Sequence, residues 1–254
     1  MMTGVDSVRL GFLYPGHAAE GDYPDMVRGL SVPAVAEVVH TSVGELGDLH
    51  TVEALHAMGE RERLAEGAAE LRGRGVDAVM WACTSGSFVY GWDGAEQQVA
   101  ALRQQAGVPA SSTSFAFVYA ARSLGIRRVA IAATYPAPVA ERFAEFLGAA
   151  GIEVTGLTPN DVMTATEAGE MSEDATARMI AAGDRPDAEA VFVPDTALPT
   201  ARVLPRLARE AGKPVLTANQ VTVWEAMRIA GLAGSWADAT RFLADGMVSQ
   251  GSSR

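Results

Sequence analysis

The stretch DAVMWACT at residues 77–84 is an apolar run that ends in a cysteine and a threonine. Runs of this kind alternate along the chain with longer segments of helical period, an order typical of βαβ units and a parallel sheet buried on both faces. We predict strands at Arg9–Tyr14, Ala36–Thr41, Ala78–Cys83, Val108–Ser112, Arg128–Thr134, Glu153–Leu157, Ala188–Val193 and Pro214–Ala218. The clearest predicted helices are Val52–Gly73, Ala95–Ala106, Phe115–Leu124, Val139–Ala149, Met171–Ala182, Ala201–Ala211 and Val223–Ala230.

The same stretch has a counterpart in the second half of the chain, DAEAVFVPDT at residues 187–196. Two further pairs keep the same order: RLGFLYP at 9–15 with RVAIAATYP at 128–136, and AGVP at 106–109 with AGKP at 211–214. The repeat predicts an α/β fold of two similar, pseudo-symmetric lobes, each a parallel sheet flanked by helices, with the active site in the cleft between them. We place the lobes at residues 8–115 and 116–240. Chance matches in an alanine-rich sequence are the alternative.

Composition and charge narrow the classes of function. The chain has 254 residues, of which 48% are hydrophobic and 20% charged, as in a globular protein with a sizeable core. Its net charge of −11 has the wrong sign for neutralising phosphates, so we expect no nucleic-acid partner. The single cysteine excludes an intrachain disulfide and indicates a reducing compartment. The sequence shows no secretory signal and no apolar run of membrane-spanning length, so we expect a cytoplasmic protein without a membrane partner. Assembly into a homo-oligomer is possible.

Candidate site residues follow from the carboxyl ends of the predicted strands, where open parallel sheets bind their ligands. The residues predicted to bind substrate are Tyr14, Gly16, His17, Thr84, Ser85, Thr113, Tyr135, Thr196 and Asn219. Cys83 and Asp195 are the predicted catalytic residues. Structural roles are the alternative at several positions: Tyr14 and Tyr135 as packing rings, and His17 as a solvated loop residue.

Cys83 is the only thiol, and it ends a strand that we expect to be buried. The hydroxyl and glycine residues after it can form an anion-holding turn, a setting that stabilises a thiolate and predicts a lowered pKa. A thiolate there could act as a base or as a nucleophile. The alternative is a cysteine that simply fills the core.

Asp195 occupies the position in the second lobe that Cys83 occupies in the first. A carboxylate at the end of an apolar strand is costly unless it is paired, solvated or held neutral, which favours a functional role. The alternative is an N-cap for a helix that begins near Leu198. His40, His50 and His56 have no metal-ligand spacing, and one cysteine makes no zinc pattern, so we expect no metal.

Three segments carry a resemblance to a known family: ACTSGSF at residues 82–88, LGIRRVA at 124–130 with Thr134 and Tyr135 downstream, and TANQVTVWEA at 217–226. Together they resemble the aspartate/glutamate racemase superfamily, and most of all its branch of maleate cis–trans isomerases and arylmalonate decarboxylases. The resemblance implies a two-lobed α/β fold and metal-independent, cofactor-free chemistry on small carboxylic acids. In this family two cysteines, one from each lobe, typically face each other across the substrate.

The family's functional positions can be carried onto this chain. The first family cysteine corresponds to Cys83, with Thr84 and Ser85 in the turn that binds a carboxylate, and the family's tyrosine corresponds to Tyr135. The second family cysteine is replaced by Asp195. The isomerases have both thiols, whereas the decarboxylases keep only the second, which is missing here. The family's N-terminal Pro-Ser-Ser-Asn loop is also replaced, by PGHA at residues 15–18.

A thiol and a carboxyl group that face each other should share one negative charge at neutral pH, which gives one base and one acid. Such a pair suits racemisation, cis–trans isomerisation through addition of Cys83 to a double bond, or decarboxylation followed by protonation. A protein that binds a carboxylate without turning it over is the non-enzymatic alternative. Because Asp195 would repel a second substrate carboxylate, an amino acid or monocarboxylate is favoured over a dicarboxylate such as maleate.

Overall fold

Two four-stranded parallel sheets organise the chain in a computed structural model, which describes residues 7–232. The first sheet contains β1 (Val8–Pro15), β2 (Ala34–Thr41), β3 (Ala78–Trp81) and β4 (Ala110–Ser112), in the order β2-β1-β3-β4. The second contains β5 (Arg128–Ala133), β6 (Glu153–Pro159), β7 (Ala190–Val193) and β8 (Val215–Thr217), in the order β6-β5-β7-β8. The two sheets have the same strand order, since subtracting four from each strand number of the second sheet gives the order of the first. The predicted fold class and all eight predicted strands are thereby confirmed.

Helices flank both sheets. They are α1 (Asp22–Arg28), α2 (Val52–Met58), α3 (Arg61–Gly73), α4 (Ser85–Phe88), α5 (Gly91–Ala106), α6 (Thr113–Leu124), α7 (Ala137–Ala149), α8 (Ala165–Gly169), α9 (Glu173–Gly183), α10 (Leu204–Ala211) and α11 (Ala218–Ile229). The helix α11 follows the last strand of the second sheet but packs against α6 and β4. The exact lobe limits at 115 and 116 stay a prediction, and residues 233–240 of the second lobe lie outside the described residues.

One predicted helix is wrong: Val52–Gly73 is two helices, α2 and α3, separated at Gly59 and Glu60. The physical reason is a close approach of two backbone segments. A Cβ atom added at Gly59 would lie 2.2 Å from the carbonyl oxygen of Gly86, so only glycine fits there. Through this contact, α4, the short helix that follows Cys83, packs against the end of α2.

The central strands β3 and β7 are buried along their whole length. Every residue of AVMW in β3 and of AVFV in β7 is buried, as the apolar runs predict. Each buried Val or Phe side chain contributes about 1.5–3 kcal/mol relative to exposure, so the strands that end in the candidate catalytic residues are firmly held. In the described part of the chain, no helix has the length and apolar character to cross a membrane.

Candidate active site

A small cavity lies at the carboxyl ends of β1, β3 and β7, with a volume of about 30 Å³. Of the predicted site residues, it is lined by Tyr14, Gly16, His17, Cys83, Ser85, Asp195 and Thr196. Its other lining residues are Pro15, Val43, Asp48, His50, Leu55, Met58, Ala165 and Ala197. The cavity therefore brings the two predicted catalytic residues, one from each sheet, to a common space. None of these lining residues is a lysine or an arginine.

Cys83 is buried at the start of the turn that leads into α4. Its Sγ accepts a hydrogen bond from the Gly86 main-chain N–H at 3.3 Å and lies 3.8 Å from Ser85 Oγ. A Cβ atom at position 86 would lie 3.1 Å from Sγ, so the glycine lets the N–H approach the sulfur. The predicted turn around the thiol is present, and it places donors against the sulfur.

The pKa of Cys83 moves in the opposite direction from the sequence prediction. Burial raises it to about 11, although hydrogen bonds from Gly86 and Ser85 lower it, and the charge of Asp195 raises it further. The expectation of a lowered pKa is therefore wrong, because loss of hydration outweighs the donors. Near neutral pH this group is a neutral thiol, which can donate a proton.

Alkylation of the sole thiol should report this raised pKa. We expect the rate of Cys83 alkylation by iodoacetamide, followed by mass spectrometry, to keep rising up to about pH 11 in the folded chain. At pH 8 a thiol with that pKa is about a hundredfold less ionised than an ordinary cysteine. The same chain unfolded in urea is the matched control and should titrate near the ordinary value. A folded-state midpoint at or below the unfolded one would contradict the result.

Asp195 is buried, and each of its carboxylate oxygens has a donor. Oδ2 accepts a short hydrogen bond from the Thr134 hydroxyl, and Oδ1 accepts one from the Ala197 N–H at 2.9 Å. The bond to the residue two positions on is an Asx turn, not a helix cap. The next helix, α10, begins only at Leu204, so the alternative of an N-cap for a helix near Leu198 is wrong.

Two buried tyrosines hold the backbone on either side of Asp195. Tyr135 donates a hydrogen bond to the carbonyl of Pro194 at 2.7 Å, and Tyr14 donates one to the carbonyl of Thr196 at 3.1 Å. Burial raises the pKa of both phenols, so both stay protonated and act as donors. Tyr14 lines the cavity, whereas Tyr135 is not among its lining residues. Their hydrogen bonds position Asp195 from both lobes.

Asn219 lies outside the cavity, in a buried polar cluster with Asp22. Its Nδ2 donates to Asp22 Oδ2 at 3.0 Å, and the same oxygen accepts from the Thr200 N–H at 2.7 Å. Burial raises the pKa of Asp22, against the hydrogen bonds that lower it. The cluster ties α1 to the loop that follows Asp195. Sequence reasoning missed Asp22, because nothing in its local pattern distinguishes it from a surface aspartate.

Two further predicted residues do not line the cavity. Thr113 is buried, and its hydroxyl lies 2.6 Å from the hydroxyl of Thr222, between α6 and α11. Thr84 is buried as well, and its carbonyl accepts a hydrogen bond from Ser114 Oγ at 2.8 Å. For both residues, contact with a substrate stays a prediction.

The rim of the cavity joins the two lobes. Asp48 Oδ2 accepts hydrogen bonds from the N–H and the hydroxyl of Thr166, and hydrogen bonds lower the pKa of this carboxyl. Nearby, His50 Nδ1 lies 2.9 Å from the carbonyl oxygen of Val162. His17 also lines the cavity. Its ring packs on the ring of His40, and its side chain is 73% exposed. Sequence reasoning did not single out Asp48 or bring His40 to this rim.

Comparison with known proteins gives consistent similarities. Residues 32–243 match the sequence model of a family described as arylmalonate decarboxylase. An arylmalonate decarboxylase from Bordetella bronchiseptica is 31% identical over 175 residues, which are 67% of this chain and 72% of that protein. A maleate isomerase from Geobacillus stearothermophilus is 26% identical over 231 residues, which are 87% of this chain and 90% of that protein.

A solved structure has the same fold. It is a variant of the maleate cis–trans isomerase from Nocardia farcinica, with a covalently bound succinylcysteine intermediate. The match has a TM-score of 0.80 at 20% identity and covers 88% of this chain and 93% of that one. The fold and the resemblance drawn from the three sequence segments are both confirmed.

Proposed function

Because the chain belongs to the arylmalonate decarboxylase family, we propose that it is a cofactor-independent racemase of a small carboxylic acid, with Cys83 and Asp195 as its acid–base pair. Both named relatives are enzymes, one a decarboxylase and one an isomerase. The observation that carries the proposal is the shared cavity: a neutral thiol from the first lobe and a carboxylate from the second line the same small space.

The pair can invert a stereocentre by removing a proton from one face of the α-carbon and adding a proton to the other face. Asp195 takes the α-hydrogen as a proton from one face, and the electron pair of the broken C–H bond passes into the substrate carboxyl group as an enediolate. Cys83 then donates its thiol proton to the opposite face of the same carbon, which restores the acid with inverted configuration. Afterwards Asp195 holds the proton and Cys83 is a thiolate, so the reverse reaction or exchange with solvent restores the starting state.

The lining of the cavity supports a small substrate with one carboxylate. The hydroxyls of Ser85 and Thr196 are donors on the lining for charge that develops on the substrate. Without a lysine or arginine on the lining, a second substrate carboxylate would meet Asp195 unneutralised, which favours a monocarboxylate or an amino acid.

Decarboxylation of a malonate-like acid is the second candidate. Loss of carbon dioxide also leaves an enediolate, and the neutral thiol of Cys83 could protonate it without any base. The family model and the Bordetella bronchiseptica relative favour this reading. Cis–trans isomerisation by thiol addition needs Cys83 to lose its proton first, and its raised pKa makes that step costly. Binding without turnover is the non-enzymatic alternative.

Incubation of candidate acids with the protein in heavy water tests the proposal. The panel contains single-enantiomer amino acids and 2-substituted monocarboxylates. It also contains 2-substituted malonates, which test for decarboxylation, and maleate, which tests for cis–trans isomerisation. We expect one deuterium at the α-carbon together with loss of optical purity and no release of carbon dioxide. A product that is one carbon shorter would establish the decarboxylase instead. Tight binding with no exchange would establish a carboxylate-binding protein.

A further inference from the structure

Three side chains from separate segments meet beside the cavity at the carboxyl end of the first sheet. His17 and Glu20 belong to the loop after β1, and His40 lies near the end of β2, in register with Tyr14. Gly16 turns the chain back with a φ of +63°, and its N–H donates to the carbonyl of Thr41 at 3.1 Å. The loop is thereby fixed over the end of β2, where His40 lies.

The three groups present their ligand atoms to one another. His17 Nδ1 lies 3.0 Å from Glu20 Oε1, and His40 Nε2 lies 3.4 Å from the same oxygen. All three ligand atoms are within 4.8 Å of one another. The second carboxylate oxygen, Oε2, accepts the Ala18 N–H at 2.8 Å, which fixes the carboxylate.

We infer that His17, Glu20 and His40 form a binding site for a divalent transition-metal ion such as Zn²⁺. Two imidazole nitrogens and one carboxylate oxygen are a donor set that suits such ions. Around a tetrahedral Zn²⁺ with bonds of about 2.0–2.1 Å, neighbouring ligand atoms lie about 3.3 Å apart. The distances of 3.0 and 3.4 Å from Glu20 Oε1 to the two imidazole nitrogens are close to this spacing.

The surroundings fit the requirements of a metal site. Both imidazoles are solvent-exposed, so an ion and its water ligands can reach them. The Ala18 N–H serves as an outer partner of the carboxylate ligand, as metal sites commonly need. Three protein ligands leave at least one position open, and His17 also lines the cavity that holds Cys83 and Asp195. The ion would therefore lie at the mouth of the cavity.

Calorimetric titration of ZnCl₂ into the full chain, after removal of metals by a chelator, tests this site. We expect one Zn²⁺ per chain, with an affinity that falls about 10–100-fold in each of His17→Ala, Glu20→Gln and His40→Ala. The matched control is His56→Ala, because His56 packs on Tyr90 and is not one of the three grouped ligands. Its Zn²⁺ affinity should equal that of the unaltered chain. Thermal unfolding of each variant verifies that it is folded.

Spectra of the Co²⁺ complex identify the ligands independently. We expect visible bands without a thiolate charge-transfer band, because the site uses nitrogen and oxygen donors and not Cys83. Absence of saturable binding would overturn the inference. The inference would also be overturned if His17→Ala and His40→Ala bound Zn²⁺ as tightly as the unaltered chain, or if a thiolate band appeared. No substrate is present in these experiments, so a negative result leaves the proposed racemase activity standing.

Discussion

Replacing Cys83 with alanine should lower the rate of racemisation in heavy water by about 10²–10⁴-fold, the usual contribution of a positioned acid or base. The thiol is the neutral member of the pair, with a pKa of about 11, and alanine cannot donate a proton to the enediolate. Substrate affinity should change little, because the hydroxyl and imidazole groups of the lining are untouched. The kcat of racemisation in heavy water and the Kd from calorimetry measure the two effects separately.

Ser87→Ala is the matched control for Cys83→Ala. Ser87 is buried on α4, the short helix that follows Cys83. Its Oγ lies 2.9 Å from Ser112 Oγ, and it does not line the cavity. Loss of that hydrogen bond should cost about 1 kcal/mol of stability and leave turnover near its original value. If Cys83→Ala stays active, or if Ser87→Ala loses as much activity, the catalytic role of the thiol is wrong.

The strands could be predicted from the sequence because their signal is local. Apolar runs such as AVMW in β3 and AVFV in β7 are short, bounded and fully buried, and their order along the chain repeats. The division of Val52–Gly73 into two helices could not be predicted in the same way. It depends on the approach of the Gly86 carbonyl to Gly59, a contact between residues far apart in sequence.

The sequence predicted which edge of each sheet carries the candidate site, but not the contacts of each side chain there. The rule for strand ends selected Cys83 and Asp195, which line one cavity, but it does not say where each side chain points. Asn219 follows a strand as expected, yet it bonds to Asp22 beneath the loop. The direction in which the pKa of Cys83 shifts could not be predicted from the sequence either, because the balance between burial and nearby donors depends on packing.

Asp195→Asn should lower α-deuterium exchange by about 10²–10⁴-fold as well, because an amide cannot take the proton. Asparagine keeps the shape of the side chain. Its carbonyl oxygen can still accept the Ala197 N–H, and its NH₂ can donate to the Thr134 hydroxyl, which now accepts. The variant should therefore fold. Exchange in heavy water measures the rate, and retention of normal exchange would contradict the role of Asp195 as the base.

The same variant separates the two candidate reactions when it is paired with Cys83→Ala. A racemase needs both groups, so each substitution alone should lower the rate of racemisation by about 10²–10⁴-fold. A decarboxylase needs only the thiol as proton donor, so Asp195→Asn would still release carbon dioxide while Cys83→Ala would not. Because the charge of Asp195 contributes to the raised pKa of Cys83, its removal should also shift the alkylation midpoint of the thiol downward. An unshifted midpoint would mean that the two groups do not interact across the cavity, and the acid–base pair would have to be abandoned.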